Sequence, residues 1–311
     1  MAIPESQLES WSSKGADTTA KQTHESIRKA LQQYERLKSK DFEVYLQGSY
    51  KNDTNIRGNS DVDIVVQLNS TFRDNLSEEQ KGGFSSTDAT YGWNEFRSDV
   101  LMALRDYYAE PLCYRLLGLL LEGRFRDWDK VREGRKCLKV QTQYLPADAV
   151  VCIQYRKYPP SPRDPDKYTE GMTFYVQSEN RWVINYPKLH YENGVRKNKN
   201  TNGLYKPTIR LFKNARTHLI KRGNIAADIA PSYFLECLLY NVPDDKFDES
   251  LQKTFCNVVN WLHHWLSQAN LSQFVCQNEQ LPLFGNSPEQ WSADKARQFV
   301  RQMIDLWKNW S

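Results

Sequence analysis

Residues 47–68 read QGSYKNDTNIRGNSDVDIVVQL, and the fold turns on how this stretch is parsed. An apolar run ends in Gln47, Gly48 and Ser49; after eleven more residues come Asp61, Val62 and Asp63, inside a run of strand formers. Side chains alternate along a strand, so Val62, Ile64 and Val66 point one way and Asp61, Asp63 and Val65 the other. Asp61 and Asp63 then share a face, close enough to clamp divalent cations. Gly48 lets the backbone approach a phosphate, and Ser49 offers a hydroxyl and an N–H to it. Singly, an Asp-x-Asp triplet is a solvated strand face or a turn, and a Gly-Ser pair is a loop. Combined, they form a device for holding a nucleoside triphosphate and its metals.

That chemistry demands a third carboxylate. Two-metal phosphoryl transfer needs oxygen ligands for a nucleotide-bearing ion and for a second ion that activates the attacking hydroxyl. The best candidate is Asp148, in LPADAVVCIQYRKY at residues 145–158. It follows Pro146 and opens a run of strand formers from Ala149 to Tyr155. Asp41 precedes the first strand, Asp127 and Asp129 lie in a charged stretch, and Asp164 and Asp166 flank Pro165 in a loop. The competing reading of Asp148 is a turn residue at a strand start.

Gly48-Ser49 with Asp61-x-Asp63 and Asp148 resembles the polymerase-β-type nucleotidyltransferase superfamily. Lys206-Pro-Thr-Ile-Arg-Leu-Phe-Lys213-Asn-Ala-Arg216, followed by Pro231-Ser232-Tyr233-Phe-Leu-Glu236-Cys237, is similar to the cyclic-oligonucleotide synthases of bacterial anti-phage systems, the CD-NTases. These are relatives of cyclic GMP-AMP synthase and oligoadenylate synthase. The likeness runs from Ser6 to Trp310. It implies an α+β fold: a polymerase-β-like nucleotidyltransferase mixed-sheet lobe, residues 1–204, plus a C-terminal helical, oligoadenylate-synthase-like lobe, residues 205–311, with the active site in the cleft between them. The implied activity is synthesis of a cyclic di- or trinucleotide second messenger from NTPs, with release of pyrophosphate, in anti-phage (CBASS) signalling. Asp61, Asp63 and Asp148 would hold two Mg²⁺ or Mn²⁺ ions. Gln47, Gly48, Ser49, Lys213, Ser232 and Tyr233 would contact nucleotide. A monomer is expected. Effector or regulatory proteins of a defence operon are the expected partners, and a nucleic-acid activator is left open. Two other functions stay alive: nucleotide addition to RNA ends or protein, and a catalytically dead nucleotide-binding scaffold. The bases used, the ring size and the linkage are not readable from the residues.

Lys206, Arg210, Lys213 and Arg216 fall on one helix face, from which a cation can reach a triphosphate. Lys213 is given that role, and Arg216 a solvated one. Ser232 and Tyr233, at the start of the next helix, suit a hydroxyl or N–H to phosphate and a ring to stack on a base. A helix cap plus a core tyrosine is the competing reading. Glu236 suits pairing with a basic neighbour.

Composition bounds the rest. The chain has 311 residues, 40% hydrophobic and 13% aromatic with nine Trp, enough for one large domain or two lobes. No apolar run reaches the length of a membrane span; the longest, at residues 116–121, is short. MAIPESQLESW carries no basic and apolar secretory pattern. Net charge is +4, mild but suited to a polyanionic substrate. Six cysteines without a Cys-x-x-Cys pair or zinc-spaced His fit a reducing compartment, so a cytoplasmic protein is expected. The zinc loop of the animal relatives has no ligands here. Cys152 and Cys237 suit buried thiols, His263-His264 packing or surface, and the basic residues between Arg124 and Lys139 a solvated face.

Periodicity predicts a helix at 18–38 with Ile27, Ala30, Leu31, Tyr34 and Leu37 on one face, strands at 43–46 and 62–68, and an exposed connection at 69–88. A helix with Trp93, Phe96, Val100, Leu104 and Tyr107 on one side follows. A strand at 137–141 pairs with the Asp148 strand. Pro159, Pro160, Pro162 and Pro165 bar regular structure over 155–168. A hairpin is expected at 173–176 and 181–184, and a loop at 193–202. Everything after about Lys206 reads helical, with Ser292 capping a last helix that packs through Ala296, Phe299, Val300, Met303, Leu306, Trp307 and Trp310.

Overall fold

A computed structural model describes residues 2–15, 18–58, 61–81, 90–109, 130–268 and 270–310. The apolar run at 116–121, Cys113, Asp127, Asp129 and the first part of the basic stretch lie outside these residues. The chain divides into two compact units. One is Asp17–Gln47 with Ser60–Asn185; the other is Met1–Ala16, Gly48–Asn59 and Tyr186–Ser311. The two compact units change over at Asn185/Tyr186, and residues 48–59 group with the helices.

Among the described residues, the first unit is a mixed sheet with helices packed on it. Among the described residues the strands are β1 (Phe42–Leu46), β2 (Val62–Asp74), β3 (Val131–Glu133), β4 (Leu138–Gln141), β5 (Pro146–Lys157), β6 (Thr169–Val176) and β7 (Arg181–Asn185). Their order is β1-β2-β5-β4-β3, with β6 on β5 and β7 on β6. Among these described strands only β2 and β5 pair parallel; the other pairs are antiparallel. From Ile64 to Leu68 every residue of β2 is buried, as in a strand covered on both faces. Helices α1 (Glu5–Ser12), in the other unit, and α2 (Thr18–Gln33) open the chain. The predicted helix to Lys38 ends early, because Tyr34 takes an extended conformation before a single 3₁₀ turn at Glu35–Leu37; Leu37 is still fully buried. A short helix α3 (Gly48–Asn52) follows β1, α4 (Glu78–Lys81) follows β2, and α5 (Trp93–Tyr108) packs with α2 on the sheet. Trp93, Phe96, Val100 and Leu104 are buried on it, while Tyr107 is exposed. β5 runs through Lys157, pairing with β6, so only the part of 155–168 beyond it is irregular.

The second unit is helical: α6 (Pro187–Asn200), α7 (Tyr205–Lys221), α8 (Ser232–Tyr240), α9 (Leu251–Leu266) and α10 (Ala293–Lys308). The predicted loop at 193–202 is mostly helix α6. Tertiary contacts override its Asn- and Lys-rich composition. Asn193 donates to the Gln277 carbonyl at 2.8 Å, and the Lys197 ammonium reaches the Val242 carbonyl and Asp244, each at 2.7 Å. The stretch 275–291 is not helical but carries two isolated bridges, Val275–Pro282 and Phe284–Trp291. Ser292 caps α10 by accepting from the Lys295 N–H, and Ala296, Phe299, Val300, Met303 and Leu306 enter the core.

Candidate active site

In the sheet unit, the parallel register of β2 on β5 sets Asp63 opposite Asp148. Lys139 of β4 faces Asp148 from the other side. Asp61 lies just ahead of β2 and is exposed; Asp63 and Asp148 are half-buried. Asp148 is therefore inside a strand rather than in a turn before one. The Gln47 N–H donates to the Asp63 carbonyl at 2.9 Å, so β1 keeps its grip on β2 up to the Gly-Ser turn. Cys137, just before β4, also borders Asp148. Burial, then the charge of Asp148 and a hydrogen bond to it, push this thiol up to about 12. The strand expected at 137–141 beside the Asp148 strand brings Cys137 near Asp148, and the register sets Lys139 opposite it. Carboxylate oxygens are the donors a hard divalent cation takes, and three of them at neighbouring strand ends fit one. Their side chains are not gathered tightly around a point, and among the described residues no group of three His, Cys, Asp or Glu is. Like charges on neighbouring carboxylates repel, and a cation is what offsets that.

In the helical unit, Gly48 opens α3 at φ +65°, a conformation that favours glycine. The basic face of α7 grips the residues after α3. Lys206 pairs with Asp53 at 3.3 Å, and Arg210 donates to the carbonyls of Ser12 at 2.6 Å and Asp53 at 2.5 Å. Burial would raise the Asp53 carboxyl, but bonds and charge from Lys14 and Lys206 hold it low. Lys213 is enclosed, its side chain 2% exposed, rather than presented to solvent. Its ammonium donates to Glu236 at 2.6 Å and to both the carbonyl and hydroxyl of Thr54 at 3.2 Å. The Thr54 N–H in turn holds the Ser49 carbonyl at 2.9 Å. Arg216, expected in solvent, is half-buried and clamps the carbonyls of Ala227 and Ile229.

Glu236 is the basic neighbour's partner that the sequence suggests. It also accepts from Asn52, Thr54 and His190. Burial pushes its carboxyl up, but the Lys213 charge and the bonds from His190 and Lys213 outweigh this and hold it well below its ordinary value. Ser232 is the first residue of α8; the cap position is Pro231, with no side-chain cap bond. Tyr233 is half-buried and stacks on His190. Nothing in the spacing of His190, Asn52 or Thr54 marks them in the sequence.

Residues 192–308 match the cGAS/DncV-like nucleotidyltransferase C-terminal helical domain, and residues 25–109 match the nucleotidyltransferase domain. A cyclic UMP-AMP synthase of Rhodothermus marinus is 61% identical over 310 residues, which span 100% of this chain and 99% of that one. The chain belongs to the CD-NTase family. The cyclic nucleotide synthase CdnE01 of Staphylococcus haemolyticus is 38% identical over 320 residues, covering all of both chains. A solved structure of the R. marinus CdnE c-UMP-AMP synthase with Apcpp and Upnpp superposes with a TM-score of 0.89 at 60% identity, over 99% of this chain and 98% of that one. As a CD-NTase the chain is a nucleotidyltransferase of the kind that makes cyclic oligonucleotides. No helix of the described residues is long and apolar enough to cross a membrane.

Proposed function

We propose that this CD-NTase joins UTP and ATP into cyclic UMP-AMP, using Asp61, Asp63 and Asp148 as its metal-binding carboxylates. The observation that carries this reading is the 61% identity, along the whole chain, to a cyclic UMP-AMP synthase. The register that sets Asp63 beside Asp148 supports the carboxylate assignment.

Two Mg²⁺ or Mn²⁺ ions held by these three residues would neutralise the triphosphate and make the attacking ribose hydroxyl more acidic. Asp148 accepts the proton of that hydroxyl as it attacks the α-phosphorus in line, and pyrophosphate leaves. Gln47 and Gly48 set the backbone turn, and Ser49 donates to the phosphates. Lys213 supports Ser49 from behind: its ammonium fixes Thr54, whose amide holds the Ser49 carbonyl. Ser232 and the Tyr233 ring take a phosphate and a base. A second round on the reoriented linear intermediate closes the ring. The same reading makes the product a second messenger in bacterial anti-phage (CBASS) signalling, sensed by a separate effector protein.

The test is one incubation of the purified protein with all four NTPs and Mg²⁺ or Mn²⁺, treated with phosphatase and read by mass spectrometry beside Asp61→Ala/Asp63→Ala. A phosphatase-resistant cycle of one U and one A, absent from the variant, is expected. A cycle of other bases overturns the base assignment alone. Linear, phosphatase-sensitive products point instead to transfer onto an acceptor end. For the signalling role, cells carrying the wild-type operon should resist phage, and cells carrying the double variant should not.

A further inference from the structure

Glu236, 3% exposed, gathers four donors: Asn52 Nδ2 at 3.0 Å, Thr54 Oγ1 at 2.7 Å, His190 Nε2 at 2.9 Å and Lys213 Nζ at 2.6 Å. A carboxylate can only accept, so Nε2 of His190 carries the bonding proton, and this bond sets the plane of the imidazole. That plane lies against Tyr233, with ring centroids 5.0 Å apart and 22° between the planes. His190 is 4% exposed, and its carbonyl accepts from Gln277 Nε2 at 2.6 Å, so its backbone is held as well. Asn278 Nδ2 reaches the Tyr233 hydroxyl at 3.4 Å.

Resting on the nucleotide role given to Tyr233 above, we propose that His190 is a positioning residue for base binding: it seats the Tyr233 ring and takes its own orientation from Glu236. A half-buried aromatic ring with one face already covered does not have to be ordered when a base stacks on it, and preorganisation of this kind strengthens binding. The same carboxylate fixes Thr54 and, through its amide, Ser49. The platform for the base and the segment for the phosphates are therefore referenced to one buried group.

The test reads nucleotide affinity rather than product. Full-length protein is titrated calorimetrically with α,β-nonhydrolysable analogues of ATP and of UTP in Mg²⁺, with Tm measured alongside. His190→Gln keeps an N–H for Glu236 but removes the ring; it should weaken at least one analogue about fivefold to tenfold, the scale of one base–aromatic stack. His190→Phe restores a ring but loses the bond to Glu236 that sets its plane, so it should recover part of the lost affinity and not all of it. Tyr233→Leu should weaken the same analogue, and adding His190→Gln to it should change nothing further. If His190→Gln does not fold, His190→Asn takes its place in the cycle. Additive losses, a His190→Gln variant that binds like wild type, or a His190→Phe variant no better than His190→Gln each overturn the inference while leaving the synthase reading intact. Wild type that binds neither analogue removes both.

Discussion

Asp63 and Asp148 are register partners across the single parallel pairing of the described sheet, β2 on β5. Two carboxylates brought side by side on neighbouring strands repel each other, positive charge beside them offsets this, and Lys139 of β4 stands opposite Asp148 on its other side.

Asp63→Asn and Asp148→Asn should each lower kcat by about 10²–10⁴-fold, measured as pyrophosphate release. Added Mg²⁺ should raise the Tm of wild type and have little effect on either variant, because only the wild-type set binds the ion well. Equal Mg²⁺ stabilisation of all three would sink the metal assignment.

The Glu236–Lys213 pair makes a pH prediction. The folded carboxyl is held below its ordinary value of 4.5, so its contribution to stability is present above that pH and is lost as the pH falls. Urea denaturation should show wild-type stability dropping more steeply than that of Glu236→Gln as the pH is lowered through and below 4.5. At neutral pH, Glu236→Gln should cost about 3–5 kcal/mol, because the buried Lys213 ammonium loses its counter-charge.

Arg210 donates to two backbone carbonyls at once, those of Ser12 and Asp53. A lysine cannot span both with the same geometry. Arg210→Lys should cost about 1.5–3 kcal/mol and speed amide hydrogen exchange across residues 49–54. It should also raise KM for NTPs more than it lowers kcat.

Gly194 sits where α6 passes Gln277 closely; a Cβ there would come within 2.4 Å of Gln277 Nε2, the group that holds the His190 carbonyl. Gly194→Ala should therefore cost about 1–3 kcal/mol by overpacking, read by urea denaturation. It should weaken nucleotide binding more than a surface substitution of equal stability cost.

Much of the sheet and its acidic residues is legible in the chain itself. Alternation over Val62–Val66 and the strand formers after Asp148 are local signals, and both strands form where expected, though longer. The last helix and its cap are equally legible, since a 3.6-residue stripe and a Ser at its head are carried by adjacent residues. Helix α6 is not, because its Asn, Gly and Lys residues are poor evidence for helix until Gln277, Val242 and Asp244 supply their partners.

The residue types, their order and the family pattern around Gly48-Ser49, Asp61-x-Asp63 and Pro231-Ser232-Tyr233 determined that this chain handles nucleotides, because chemistry of that kind depends on short motifs. Tertiary structure alone decided that Asp148 stands beside Asp63, that Lys213 is enclosed against Glu236 rather than facing solvent, and that His190 lies under Tyr233. Each of these joins residues far apart in the chain, through strand register or burial. No periodicity records such pairings, since the energy that selects them comes from the packed partners and not from neighbours in sequence.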